Sequence, residues 1–224
     1  IRDSDKIMSV ITIDGPVACG KGTVAKLVAR DLGWIHLDSG IFYRLLALFS
    51  QEQAIASNDE KALIQAVSLL MFSLENGLVY LNGTDVSQKI RQEEISLRAS
   101  EVAKLPKVRT ALLEMQRAYA KQQNLVAEGR DMGTVVFPKA LLKVYLYADP
   151  KCRAERRAKQ LGVQEDSISY SLILANLIKR DEADRVRELS PLLPAEDAKL
   201  LDSTVLTAAE TAKIILNWYH DLVN

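Results

Sequence analysis

The residues of this 224-residue chain best placed to do chemistry begin at position 15. Gly15, Pro16, Val17, Ala18, Cys19, Gly20, Lys21, Gly22 and Thr23 fit the pattern G-x-x-x-x-G-K, between a β-branched run and a helical pattern. That order suits phosphate. Glycines let backbone N–H groups turn inward around anionic oxygens. A helix start adds partial positive charge at the same spot. Lys21 brings a full charge to the β- and γ-phosphates of a nucleotide. Ser or Thr usually follows the lysine as a magnesium ligand. Here Gly22 holds that place, which leaves Thr23 to meet either a phosphate oxygen or a water on magnesium.

A nucleotide held this way can drive a switch, an ATPase or a group transfer. Guanine-selective switches carry N-K-x-D, and this chain has no Asn-Lys pair. Shikimate-type kinases usually carry Gly-Gly in the acceptor site, and no two glycines are adjacent here. Transfer to another phosphate needs no general base, because the attacking oxygen is already an anion. It needs positioning and converging cations. Arg44, Arg109, Arg130, Arg180 and Arg187 stand at element ends. Arg180, Asp184 and Arg187 are spaced i, i+4, i+7, so they share one helix face. Arg153, Arg156 and Arg157 follow a strand end, and Arg157 is the first candidate there to stabilise the transferred group. Asp149, before Pro150, reads as a turn and cap residue. Asp14 suits a strand-end structural role as well as a magnesium water. His36 reads as a strand residue and Cys19 as a tolerated loop residue.

The elements around these residues alternate. Strands are expected at 9–14, 34–37, 125–128, 143–148 and 199–201, with helices from 23 to Gly33, over 41–50 and over 208–223. Strand–loop–helix–strand order implies a parallel sheet with crossover helices. The segment 78–86 breaks the alternation. Its Asn82-Gly83 pair predicts an antiparallel hairpin inside an insertion.

Totals narrow the rest. Hydrophobic residues make up 48%, enough for a sizeable core, and a formal net charge of +0 weighs against binding bulk nucleic acid. Two distant cysteines, Cys19 and Cys152, form no disulfide framework, and no apolar run reaches the ~20 residues of a membrane span. A cytoplasmic protein is expected. Residues 1–7, ahead of Met8, read as a tag or fusion remnant.

Four further segments give the chain a family likeness. DSGIFYR (38–44), EGRDMGT (128–134), RDEADRVR (180–187, before Pro191-Leu192) and LDST (201–204) resemble segments of the bacterial cytidylate kinases. With the G-K-G-T ending at 20–23, the match spans about 11–204. One departure is Ala183, where relatives often carry arginine.

The resemblance implies an α/β P-loop NTPase fold of three layers with a parallel five-stranded sheet, an inserted substrate-binding subdomain and a short lid. Within a single kinase domain, the core would take about 8–61, 106–150 and 191–224. The nucleoside-monophosphate-binding insertion would take 62–105 and the lid region 151–190. It implies ATP-dependent phosphorylation of CMP and dCMP with Mg2+, by a monomer. Another small acceptor, UMP or shikimate-like, and a nucleotide-driven switch are the alternatives. Arg44, Arg130 and Arg187 would hold the acceptor phosphate. Ser39, Ser100, Arg109 and Asp131 would surround cytosine, with Tyr43 also in the substrate site. Arg180 and Asp184 would hold the ribose. Lys21, Arg130, Arg187 and Arg157 would carry the transfer.

Overall fold

The computed structural model describes residues 9–75, 77–121, 123–164, 167–186 and 190–224. The elements begin with β1 (Val10–Asp14), α1 (Lys21–Leu32), β2 (Ile35–Asp38), α2 (Gly40–Glu52) and α3 (Glu60–Leu69). There follow β3 (Phe72–Glu75), β4 (Leu78–Leu81), β5 (Thr84–Asp85), α4 (Glu93–Val102) and α5 (Pro106–Ala120). The last group is β6 (Leu125–Gly129), β7 (Leu142–Tyr147), α6 (Pro150–Leu161), α7 (Ile168–Val186), β8 (Lys199–Asp202) and α8 (Ala208–Val223).

Five strands form one parallel sheet in the order β2-β6-β1-β7-β8. The expected α/β fold with a five-stranded parallel sheet is therefore present. β1 lies at the centre, with Ile11 opposite Val126 on one side and Leu142 on the other. Its β-branched residues suit a strand buried on both faces. Ile11, Ile13, Val126, Val144 and Leu146 pack with Val24, Ala25 and Val28 of α1 and with Ala212 and Ile215 of α8. Each fully buried Val, Leu or Ile in this layer stabilises the fold by about 1.5–3 kcal/mol. Trp34 meets Tyr219 edge-on at 5.3 Å, fixing the start of β2 near α8. Thr207 and Glu210 form a capping box that starts α8.

The described residues up to Asp38, together with Ala120–Asn224, make one compact unit. Ser39–Tyr119 makes the other, and the expected insertion at 62–105 falls inside it. In this second unit β3, β4 and β5 form an antiparallel sheet. Asn82 (φ 51°) and Gly83 (φ 78°) are both left-handed, the geometry of the two-residue turn that the sequence predicted between β4 and β5. β3 was not predicted. Its four residues are only partly covered, so FSLE shows little alternation before its pairing with β4 is known. Phe42 of α2 packs edge-on against Phe72 at 5.4 Å and Tyr119 at 6.4 Å, gathering helix, strand and α5 into one apolar cluster.

Candidate functional site

The loop between β1 and α1 is built for close approach of backbone to an anion. A Cβ on Gly15 would stand 2.0 Å from the carbonyl oxygen of Leu146, so only glycine lets the loop leave β1 beside β7. Ala18 (φ 59°) and Gly20 (φ 91°) are left-handed and turn the loop around its own N–H groups. α1 begins at Lys21, two residues before the helical start read from the sequence. Lys21 is buried and donates through Nζ to the carbonyl of Pro16 at 3.1 Å. Burial, and then the charge of Arg130, pulls its pKa below the usual lysine value. Thr23 is exposed at the loop's end.

The end of β6 supplies the groups that surround this lysine. Glu128 is buried, and His36 Nε2 donates to its Oε1 at 2.9 Å. Burial pushes the Glu128 carboxyl up, but the His36 hydrogen bond and the charges of Lys21 and Arg130 outweigh it and hold it below the usual value. Its carboxylate fills the space beside Gly22. A Cβ there would stand 2.9 Å from Oε1 and 3.3 Å from Oε2. This is the physical reason for glycine where Ser or Thr usually follows the lysine. Arg130 Nε donates to Asp184 Oδ2 of α7 at 2.8 Å. Burial acts to lower the Arg130 pKa, and Asp184 more than reverses it. Asp131 is buried, and its carbonyl accepts from Val135 and Val136 N–H in a single π-turn. Asp14 fixes that turn. Its Oδ1 accepts from Met132 N–H at 2.8 Å and its Oδ2 from Gly133 N–H at 2.7 Å. Burial pushes the Asp14 carboxyl up to about 6 against those two hydrogen bonds.

α6 backs the phosphate loop. Asp149 caps it, accepting from Lys151 N–H at 2.8 Å, as the sequence predicted. Arg153 donates to the carbonyls of Val17 and Ala148, each at 3.0 Å, and pairs with Asp181 of α7 at 2.6 Å. Arg156 donates to Ser203 O at 2.6 Å and reaches Cys19 O at 3.4 Å. The Ser203 hydroxyl lies 3.2 Å from that same Cys19 carbonyl, which gives the LDST segment a place behind the loop. Arg157, ranked first of the three arginines from sequence, is exposed on α6 and donates to Gln160 Oε1 at 3.3 Å.

Among the other expected residues, Arg180 lies exposed on α7, and Arg187 falls outside the described residues. In the second unit, Ser39 is buried at the start of α2 and Arg44 is half-buried on it. The Arg109 guanidinium lies over the Tyr43 ring, 5.7 Å from its centroid, a cation–π contact. Arg109 also donates to Ala103 O at 3.3 Å. Ser100 is exposed and donates to Ser96 O one helical turn back. The structure thus brings together Lys21, Glu128 and Arg130, then Arg130 with Asp184, and separately Tyr43 with Arg109. Arg153 and Arg156 were named from sequence only behind Arg157, and Asp14 has the strand-end structural role that was one of its two readings; the anchoring of the loop and the pair His36–Glu128 were not foreseen. The signal for Arg153 and Arg156 was their i, i+3 spacing, which sets both on the helix face toward the loop.

The chain is similar to known proteins along most of its length. The family model described as cytidylate kinase matches residues 11–221. A cytidylate kinase from Neisseria meningitidis is 48% identical over 95% of this chain and 98% of its own length. One from Paraburkholderia phymatum is 50% identical over 96% of this chain and 94% of its own. Among solved structures, an uncharacterized protein from Eubacterium ventriosum superposes with a TM-score of 0.56 at 11% identity, covering 94% of this chain and 98% of that one. A shikimate kinase from Bacteroides thetaiotaomicron does so with 0.50 at 12% identity, covering 96% and 99%. At such identities these two share the fold alone.

Proposed function

Because the chain belongs to the cytidylate kinase family, we propose that it transfers the γ-phosphoryl group of ATP to CMP and dCMP. The observation that carries this reading is the convergence of Lys21 and Arg130. They are cations from the start of α1 and the loop after β6, and the charge of Arg130 adds to burial in pulling down the pKa of Lys21. Phosphoryl transfer between two polyanions is limited by that kind of charge stabilisation rather than by proton abstraction.

The backbone of residues 15–23 and Lys21 take the donor phosphates. Arg44, Arg130 and Arg187 take the acceptor phosphate, and Arg180 and Asp184 take the ribose. Asp131 accepts from the N4 amino group of cytosine, Arg109 donates to its acceptor edge, and Ser39, Tyr43 and Ser100 complete the substrate contacts. Uracil would place a carbonyl against Asp131 and leave buried acceptors unpaired, a mismatch that can discriminate by about 10⁴–10⁵ in sites of this kind. Arg157, exposed on α6, would stabilise charge on the phosphoryl group as it passes to the acceptor.

Mg2+ keeps several of its waters and binds through one or two carboxylates plus substrate phosphates. The residues fit such an ion. Thr23 stands exposed at the loop's end and the Glu128 carboxylate lies beside Gly22, and these two would hold its waters. When bound, the ion neutralises charge on the phosphates. We place the enzyme in the cytoplasm, as a monomer, as the family resemblance implies. The test is ADP release with ATP, Mg2+ and, in turn, CMP, dCMP, UMP, AMP, GMP and shikimate. Turnover confined to the cytosine nucleotides supports the reading. Turnover with another acceptor overturns the specificity, and acceptor-independent ADP release overturns the kinase.

A further inference from the structure

α7 is held at two points one helical turn apart. Asp184 accepts from Arg130 at 2.8 Å, and Asp181, three residues earlier, pairs with Arg153 at 2.6 Å. Positions i and i+3 lie on one helix face, so both carboxylates point from the same side of α7. Their partners differ in kind. Arg130 belongs to the loop after β6 and carries a proposed substrate role. Arg153 belongs to α6 and is buried, with its side chain only 4% exposed.

Arg153 spends its donors on three segments at once. Nε holds the carbonyl of Ala148 at the end of β7, and Nη1 holds the carbonyl of Val17 inside the phosphate loop, each at 3.0 Å. The same Nη1 meets Asp181 Oδ2. Asp181 Oδ1 is buried and takes no hydrogen bond from the described residues, so Arg153 is what compensates this carboxylate. The planar fork of arginine can serve several acceptors in fixed directions, and a lysine ammonium on the same stem cannot. A cavity of about 340 Å³ opens at this junction, lined by Pro16 of the loop, Tyr145 of β7, Arg153, Asp181 and Arg185. α7 forms one wall of that cavity, and Arg153 links it to the loop.

We propose that Arg153 is a positioning residue that makes donor and acceptor binding cooperative. It rests on the reading above, in which Asp184 and Arg180 take the acceptor's ribose. A ribose hydroxyl that donates to Asp184 draws on the same carboxylate that holds Arg130, and one turn away the Asp181–Arg153 pair ties that helix to α6 and the loop. Through the Val17 carbonyl that pair also fixes the phosphate loop. A shift of α7 on acceptor binding is thus felt at the donor site, and linkage requires the reverse to hold equally.

The test is a binding cycle on the full chain. The dissociation constant of a non-hydrolysable ATP analogue with Mg2+ is measured by calorimetry with and without saturating CMP, for the wild type, Arg153→Lys and Asp181→Asn. Circular dichroism establishes that each variant is folded. Coupling between two sites in one protein is typically about 5–150-fold. The wild type should fall in that range. Both variants should fall to about 2-fold or less, while CMP alone binds within about 3-fold of wild type. A merely structural role would weaken both ligands alone and leave the ratio intact, and that outcome overturns the proposal. So does a wild type that binds both ligands without coupling. A wild type that fails to bind CMP at all overturns the acceptor reading first, and the two failures are thereby told apart.

Discussion

Arg130 donates to Asp184 across 2.8 Å and 54 residues of sequence, tying the loop after β6 to α7. Both partners are about one-fifth exposed, so the pair is neither a solvated surface bridge nor a sealed core one. Each is also assigned a separate part of the acceptor nucleotide. Asp184→Ala should therefore remove a ribose contact and release Arg130 at the same time. We expect KM for CMP to rise by about 10-fold or more, as loss of a hydrogen bond to a charged group implies, with a smaller change for dCMP. Steady-state kinetics on both acceptors checks this. Equal effects on the two would place Asp184 away from the 2′-hydroxyl.

Lys21 is a buried cation whose pKa burial lowers. Lys21→Ala should leave the fold intact, with a Tm equal to or above that of the wild type, because a desolvated charge is removed. Turnover should fall by about 10²–10³-fold, the cost of losing one donor at developing charge. A folded variant with near wild-type kcat would contradict the donor assignment.

Gly22 and Glu128 share one space. Gly22→Ser should push the Glu128 carboxylate off His36 and lower kcat. The carboxylate ends a flexible side chain, so the fold should survive. Glu128→Asp, one methylene shorter, should relieve the clash. In a double-mutant cycle the two changes should be non-additive by about 0.5–3 kcal/mol. Additive losses would mean that the two sites are independent.

The Asp14 carboxyl titrates at about 6 in the folded chain, against 3.8 ordinarily, chiefly because it is buried. Between those values the folded chain keeps a proton that the unfolded chain has lost. Asp14 therefore makes stability fall as pH rises from about 4 to 6, by an amount on the order of 3 kcal/mol that is complete above that range. Asp14→Asn keeps one acceptor and loses the titration. Urea unfolding across pH 4–8 should show the variant gaining on the wild type as pH rises through that window. A difference independent of pH would contradict the assignment.

Much of the site was legible because its chemistry is local. The phosphate loop is nine consecutive residues after a strand, and Asn82-Gly83 is a two-residue turn whose geometry its own residues dictate. What was not legible depends on distance. His36 meets Glu128 across 92 residues and Tyr43 meets Arg109 across 66, so no window of sequence contains either pair. The three arginines of α6 show the limit most clearly. Arg153, Arg156 and Arg157 have similar chemistry at i, i+3 and i+4. Only packing decides that the first two anchor the loop and that Arg157 points to solvent.

The most direct test follows the phosphorus atom itself. With γ-labelled ATP, Mg2+ and CMP, label should appear in CDP in a one-to-one ratio with ADP. UMP should give little labelled product, and omission of CMP should leave ATP intact. Label released as free phosphate at the same rate with and without CMP would contradict the account, because the arginines would then serve hydrolysis rather than transfer.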